Sequence, residues 1–477
     1  MVLELNKEDL AYMSAVDMVE KLKTQEISSL EITELMIERI EKINPIINAF
    51  CTPTHDLARE TAKYADDLIK KGEPLGPLHG LPISIKDEMP IKGVRTTFGS
   101  KLFENHVPEQ DDMCVKRLKG AGSVILGKTN MPPFGFWPKT ENLIFGKTHN
   151  PWKLDRTPGG SSGGAAAAIV SGLGYLALSA DGGSSIRTPS SFCGVYGIKP
   201  SYGRVPVYPT VGLLSEINID QYGPIVRYVK DAALMLDVIK GPFEGDKFSL
   251  PPENISYLEK INDRPKELKI GYSLNLGFIK AIDPEVEKSF MNSIKKFESF
   301  GWTIEESKIK LKKADYVLNL LFSSFLAYDL KSDLEEWRNK LDPNLVRVVD
   351  AGYTYSGQDI MKALDIRKSL YAECYEHFKK YDILLTPSNA TPAFNSELFF
   401  PPKIAGKKSF LTGWFAHLYP FNLTGHPAAS IPCGFSTEGL PIGMQIVGKR
   451  YDDLSVLQVS KAFEEIAPWQ DKKPQFS

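Results

Sequence analysis

The chain has 477 residues, 42% hydrophobic and 24% charged, a composition that excludes a disordered or fibrous protein. Its 57 Lys and Arg against 59 Asp and Glu leave a formal net charge of −2, which builds no field for nucleic acid or an anionic membrane. A small neutral partner is expected. The five cysteines, Cys51, Cys114, Cys193, Cys374 and Cys433, stand far apart without CxxC or Cys/His ligand spacing, which predicts reduced thiols and no metal site.

The first twenty residues carry charges throughout and lack the apolar stretch of a signal peptide, so a cytoplasmic protein is expected. Amphipathic helices are predicted over 7–24, 28–42 and 56–71, the second opened by the Ser-x-x-Glu spacing of a capping box. "LPISIKDEM" at 81–89 reads as a strand ending in charge, and "AGSVILGKTN" at 121–130 as a strand leaving a helix. The run 157–180 has no charge and is long enough to be weighed as a membrane span. Its Ala, Gly and Ser content and its Gly/Ser flanks favour a buried helix followed by a buried strand.

Further on, "DAALMLDVIKG" is helical, and "KFSLPPENISYLEKINDRPKE" has the composition of a linker or surface insertion. "KELKIGYS", "WTIEES", "YDILLTPS" and "PIGMQIVGK" supply late strands, the first two separated by the helix "PEVEKSFMNSIKKFESFG". Strands separated by helices imply a covered sheet and the α/β class. The expected organisation is one domain over 1–477. It comprises a helical segment 1–75, a core 76–240, a linker or insertion 241–265, and a part 266–477 that completes the sheet and the pocket.

Glycine costs about 0.5 to 1 kcal/mol relative to alanine inside a helix or strand, so the Gly/Ser clusters flanking 165–180 call for a use of the backbone itself. Serine needs a nearby base to act as a nucleophile. No histidine lies in the segment, and no G-x-S-x-G elbow is present. His79 and His426, both in Gly/Pro turns, read as structural or pocket-lining. A lysine base is the remaining option, and Lys86 stands at the end of an apolar strand, where taken alone it reads as a solvated strand-end lysine.

These motifs resemble the amidase signature family. "LPISIKD" at 81–87, "GGSSGG" at 159–164 and "DGGSSIRTPSSFCGVYGIKPSYGR" at 181–204 match its three signature segments in order. "TTFGS" at 96–100, "GKTNM" at 127–131, "THNPW" at 148–152 and "NLTGHPAASIPCGF" at 422–435 support the match. The resemblance implies a large mixed, mostly parallel central sheet covered by helices on both faces. It implies an amidase that cleaves C–N bonds through a Ser acyl-enzyme, with no cofactor and with esters or carbamates also in reach.

By the same resemblance Lys86 is the base, Ser161 the bridging serine after a cis peptide bond, and Ser185 the nucleophile. Gly182, Gly183, Ser184 and Ser185 would form the oxyanion hole, where backbone N–H groups meet the developing charge. The family usually has glycine at Ser184, which leaves Ser184 a rival to Ser185. Asp181 and Arg187 would pair beneath the loop, and Ser162 would either bond the lysine or cap the following helix. Aromatic density in "GWFAHLYPF" at 413–421 fits either plain core or a substrate wall, with "NMPPFGFW" at 130–137 as a candidate opposing wall; Met131, Phe134, Trp414, Phe415 and Tyr419 are the expected lining.

The predicted substrate is a small neutral aryl or acyl amide. Two other readings are a glutaminase subunit of a tRNA-dependent amidotransferase and a catalytically silent binding protein of the same fold. The first would require an acid near Phe415, where none is visible in the sequence. No nucleic-acid or membrane partner is expected, and a homodimer is compatible with the sequence.

Overall fold

Ser14 divides the first predicted helix. Its side chain accepts from Asp17 N at 3.1 Å, so one helix ends as Lys7–Tyr12 and a second begins as Ala15–Lys23. The capping box forms as predicted, Ser28 and Glu31 each bonding the other's backbone N–H, and it starts a helix over Ser29–Ile47. A fourth helix covers His55–Lys70. The computed structural model describes residues 6–209 and 217–476, without the side chains of residues 332 and 333.

Eleven strands form the central sheet. They are β1 (Phe50–Pro53), β2 (Pro82–Lys86), β3 (Val124–Thr129), β4 (Leu176–Ala180), β5 (Tyr196–Lys199) and β6 (Tyr222–Val226), then β7 (Lys269–Tyr272), β8 (Thr303–Glu306), β9 (Ile383–Pro387), β10 (Ala428–Phe435) and β11 (Pro441–Gly448). Their spatial order is β1-β3-β2-β4-β6-β5-β10-β11-β9-β7-β8. Pairing is parallel along β3-β2-β4 and along β9-β7-β8. All other pairs are antiparallel. The parallel pairing expected of the sheet thus belongs to its two flanks. In the centre, β10 and β11 are joined by the tight turn 436–440, and such short links produce antiparallel neighbours.

Alternation along the strands buries both faces. Leu176 and Leu178 of β4 enter a core with Met18, Val19, Leu236 and Val456. Ala177 between them points the other way, to Ala165, Ala166, Ile169 and Cys193. The same alternation sends Leu385 of β9 to the first core and Leu384 to another with Leu318, Trp414 and Phe421.

The uncharged run folds as the helix Gly163–Val170, all of it buried, followed by β4. Its small residues are a packing requirement: a methyl on Gly164 would lie 2.5 Å from Asn130 N and 2.6 Å from Ala49 O. Residues 247–267 are irregular apart from the short helix Tyr257–Lys260. Between residues 314 and 380 the chain is helical over Ala314–Asp329, Lys331–Trp337, Pro343–Gly352 and Gly357–Lys380, a block with no counterpart among the predicted elements. Among the described residues no helix is long and apolar enough to cross a membrane.

Candidate active site

Strand β2 runs between β3 and β4, and its last residue, Lys86, is 1% exposed. The lysine Nζ donates to Ser161 Oγ at 2.7 Å and lies 3.2 Å from Glu88 Oε1. Ser161 follows a cis peptide bond from Gly160 and precedes the helix Gly163–Val170. Ser185 lies on the loop between β4 and the helix Arg187–Cys193. Its carbonyl accepts from Ser162 N at 3.1 Å, which ties the two serine segments together. Ser162 Oγ donates to Ala180 O at 3.3 Å, so its side chain bonds neither the lysine nor the end of the helix.

Beneath the Ser185 loop, Asp181 accepts from Arg187 Nε and Nη2, each at 2.9 Å, and from the N–H groups of Ile186 and Arg187. Burial alone would push the Asp181 carboxyl up, but the Arg187 guanidinium and the Asn422 amide hold it down at about 2. Arg187 also donates to Leu418 O, Gln445 Oε1 and Asn422 Oδ1. The pair is fully buried and fully bonded, which a buried ion pair requires.

Lys86, Ser161 and Ser185 face one cavity of about 360 Å³, together with Gly182, Gly183 and Ser184. Ser184 does not adopt a positive φ, so a side chain there is unstrained. Phe134 and Phe415 line the wall together with Trp137, Leu318 and Phe322. Met131, Trp414 and Tyr419 do not line it. Trp414 stacks on Phe192 with centroids 5.8 Å apart, and Tyr419 meets Phe415 edge-on at 5.5 Å, so these two rings support the wall from behind. Met131 is fully buried. His79 and His426 lie away from the cavity: His79 Nε2 bonds Ala65 O and His426 Nδ1 bonds Thr424 Oγ1.

Several lining residues were not singled out from the sequence. Glu88 and Asp220 bring carboxyl groups to the cavity that Lys86 and the serines line, and Arg347 and Val348 of the helix Pro343–Gly352 stand on the wall with Tyr355. Burial pushes the Asp220 carboxyl up to about 8, with the Glu88 charge adding to the effect. Glu88 had a local signal, an acid two residues from the strand-end lysine. The helical walls had none, because the pocket joins segments more than 100 residues apart.

The Amidase family model matches residues 31–457. The chain belongs to the amidase signature family. It is 36% identical to an acylamidase of Rhodococcus erythropolis over 475 residues, covering 98% of each chain. It is also 37% identical to a glutamyl-tRNA(Gln) amidotransferase subunit from Carboxydothermus hydrogenoformans, covering 98% of this chain and 99% of that one. Among solved structures, a bacterial aryl acylamidase of the family superposes with a TM-score of 0.89 at 31% identity, covering 96% of this chain and 97% of that one. The protein is therefore an amidase, a hydrolase of amide bonds.

Proposed function

We propose that this amidase hydrolyses small neutral amides with aryl or medium-chain acyl groups. In this reading Ser185 attacks the carbonyl and Ser161 relays its proton to Lys86, which must be unprotonated to accept it. The backbone N–H groups of Gly182, Gly183, Ser184 and Ser185 receive the developing oxyanion. The protonated lysine then returns the proton to the leaving amine, and water releases the acyl group by the reverse relay. Catalysis belongs to the segment 76–240 and most of the wall to 266–477, both of which contribute strands to the one sheet.

The observation that carries this reading is the 2.7 Å contact between Lys86 Nζ and Ser161 Oγ in a cavity that Ser185 also lines. Aromatic walls favour apolar groups, each buried methylene contributing about 0.8 kcal/mol. The similarity to an acylamidase and to an aryl acylamidase agrees with that preference.

A glutaminase function within an amidotransferase is the second reading, favoured by the 37% identical relative. Glutamine would bring an ammonium, for which the cavity has no uncommitted anion among the described residues. Glu88 is beside Lys86, Asp220 keeps its proton to about pH 8, and Arg347 is a cation. Burying an unpaired ammonium carries a large penalty. Comparison of kcat/KM for an acyl anilide and for free glutamine tests the choice. A preference for the anilide is expected, and a clear preference for glutamine would overturn it. A catalytically silent protein would turn over neither.

A further inference from the structure

Within the proposed catalytic assignment, we infer that Glu88 is a positioning residue for Lys86. Its carboxylate holds the lysine Nζ in line with Ser161 Oγ and meets the ammonium that forms when the relay delivers its proton. The inference rests on Lys86 acting as the base. It concerns a residue outside the three signature segments.

The geometry is specific. Glu88 lies two residues beyond the end of β2, and its Oε1 is 3.2 Å from Nζ while Ser161 Oγ is 2.7 Å from the same atom. Gly135 closes the arrangement from the other side: a methyl there would be 3.4 Å from both Glu88 Oε2 and Ser161 Oγ. Gly135 has φ +67°, a conformation that other residues rarely adopt. The side chains of Lys86 and Glu88 are 1% and 17% exposed, so water screens the pair little.

Among the described residues the other acidic groups nearby are committed elsewhere or protonated. Asp87, the next residue after the lysine, bonds Thr97 through Oδ2 and lies 3.7 Å from Lys128 through Oδ1. Asp181 is held by Arg187. Asp220, just before β6, has its Oδ1 3.4 Å from where a methyl on Gly182 would sit, and burial keeps its carboxyl protonated at neutral pH. Arg347 stands on the wall contributed by the helix Pro343–Gly352. Glu88 is thus the carboxylate in ion-pair contact with Lys86.

The proton balance is simple. As the bond from Ser185 Oγ to the acyl carbon forms, the Ser185 proton passes to Ser161 Oγ and the Ser161 proton passes to Nζ. The new ammonium faces Glu88. When the C–N bond breaks, the ammonium returns one proton to the amine, and the Glu88 charge is unchanged. Removing that charge makes a neighbouring ammonium release its proton more readily, so the neutral relay is available at lower pH.

The test is the rate of fluorophosphonate labelling of Ser185 against pH, read by peptide mass spectrometry, for wild type, Glu88→Gln and Glu88→Asp. Labelling needs the relay but not the natural substrate. For Glu88→Gln the pH of half-maximal labelling should fall by about one to three units, the usual effect of one opposite charge within contact distance. An unchanged midpoint in folded Glu88→Gln, with wild type labelled at Ser185, would overturn the role of Glu88 and leave the catalytic assignment standing. Labelling of wild type at another serine, or no rise of labelling with pH, would overturn both. If Glu88→Gln does not fold, Glu88→Asp decides: its charge is retained but withdrawn by one methylene, so its labelling midpoint should fall in the same direction by a smaller amount, and a wild-type midpoint would defeat the proposal.

Discussion

In the helix Gly163–Val170 all eight residues are buried, and Gly164 has no room for a methyl beside the Asn130 backbone. Across the cavity the helix Pro343–Gly352 is half open, with Arg347 exposed and Val348 partly so. The serine side of the site is thus fixed by main-chain contacts and a saturated ion pair, whereas the wall is made of side chains on distant helices. Exchanging a wall residue changes what the cavity accepts. Exchanging a residue behind the serines changes whether the site exists.

Ser185→Ala should separate chemistry from both. Loss of the proposed nucleophile is expected to lower kcat by at least about 10³-fold, with an unchanged thermal midpoint, since among the described residues no hydrogen bond of its hydroxyl supports the fold. Appreciable turnover in this variant would place the chemistry on another serine.

Arg187→Ala should act on the scaffold instead. It leaves Asp181 buried without its partner, which costs about 3–5 kcal/mol of stability, measurable by denaturant unfolding. A loss no larger than that of an exposed charge would mean that the support beneath the loop is dispensable.

The wall offers a paired test. Phe415→Ala should lower kcat/KM for an acyl anilide about 10- to 100-fold, the effect of 1–3 kcal/mol of lost apolar contact. Trp414→Ala, one residue earlier, should instead lower stability by about 3–5 kcal/mol while sparing selectivity, because Trp414 is fully buried behind the wall. Equal effects of the two on selectivity would erase the distinction between lining and support.

The smallest effect is acid sensitivity. Asp181 is held at about 2, below the ordinary carboxylate range, so its contribution to stability is complete above about pH 4 and is lost as pH falls toward 2. Asp181→Asn should flatten the stability profile in that window, and an unaltered slope would show that other carboxylates govern acid unfolding.

These differences explain what is legible in the sequence. Lys86, Ser161 and Ser185 lie in short segments that carry the family resemblance, and it is that resemblance, rather than the strand end or the Gly/Ser clusters taken alone, that singles them out. Phe134 and Phe415 are recognisable as apolar wall, but the neighbours Met131, Trp414 and Tyr419 turn away from the cavity, because composition does not tell which side of a short turn a ring faces. The helices carrying Leu318, Phe322 and Arg347 lie far along the chain from the serines, and only the folded sheet brings them across the cavity. The sheet's antiparallel centre likewise depends on which strands become neighbours, and its spatial order departs from chain order at β2 and β3, at β5 and β6, and throughout β7 to β11.

Peptide mass spectrometry of the wild-type protein after reaction with a fluorophosphonate tests the central assignment most directly. The expected result is one adduct, on Ser185, absent from Ser185→Ala and suppressed in Lys86→Ala. An adduct on Ser184 or Ser161, or undiminished labelling without Lys86, would contradict it.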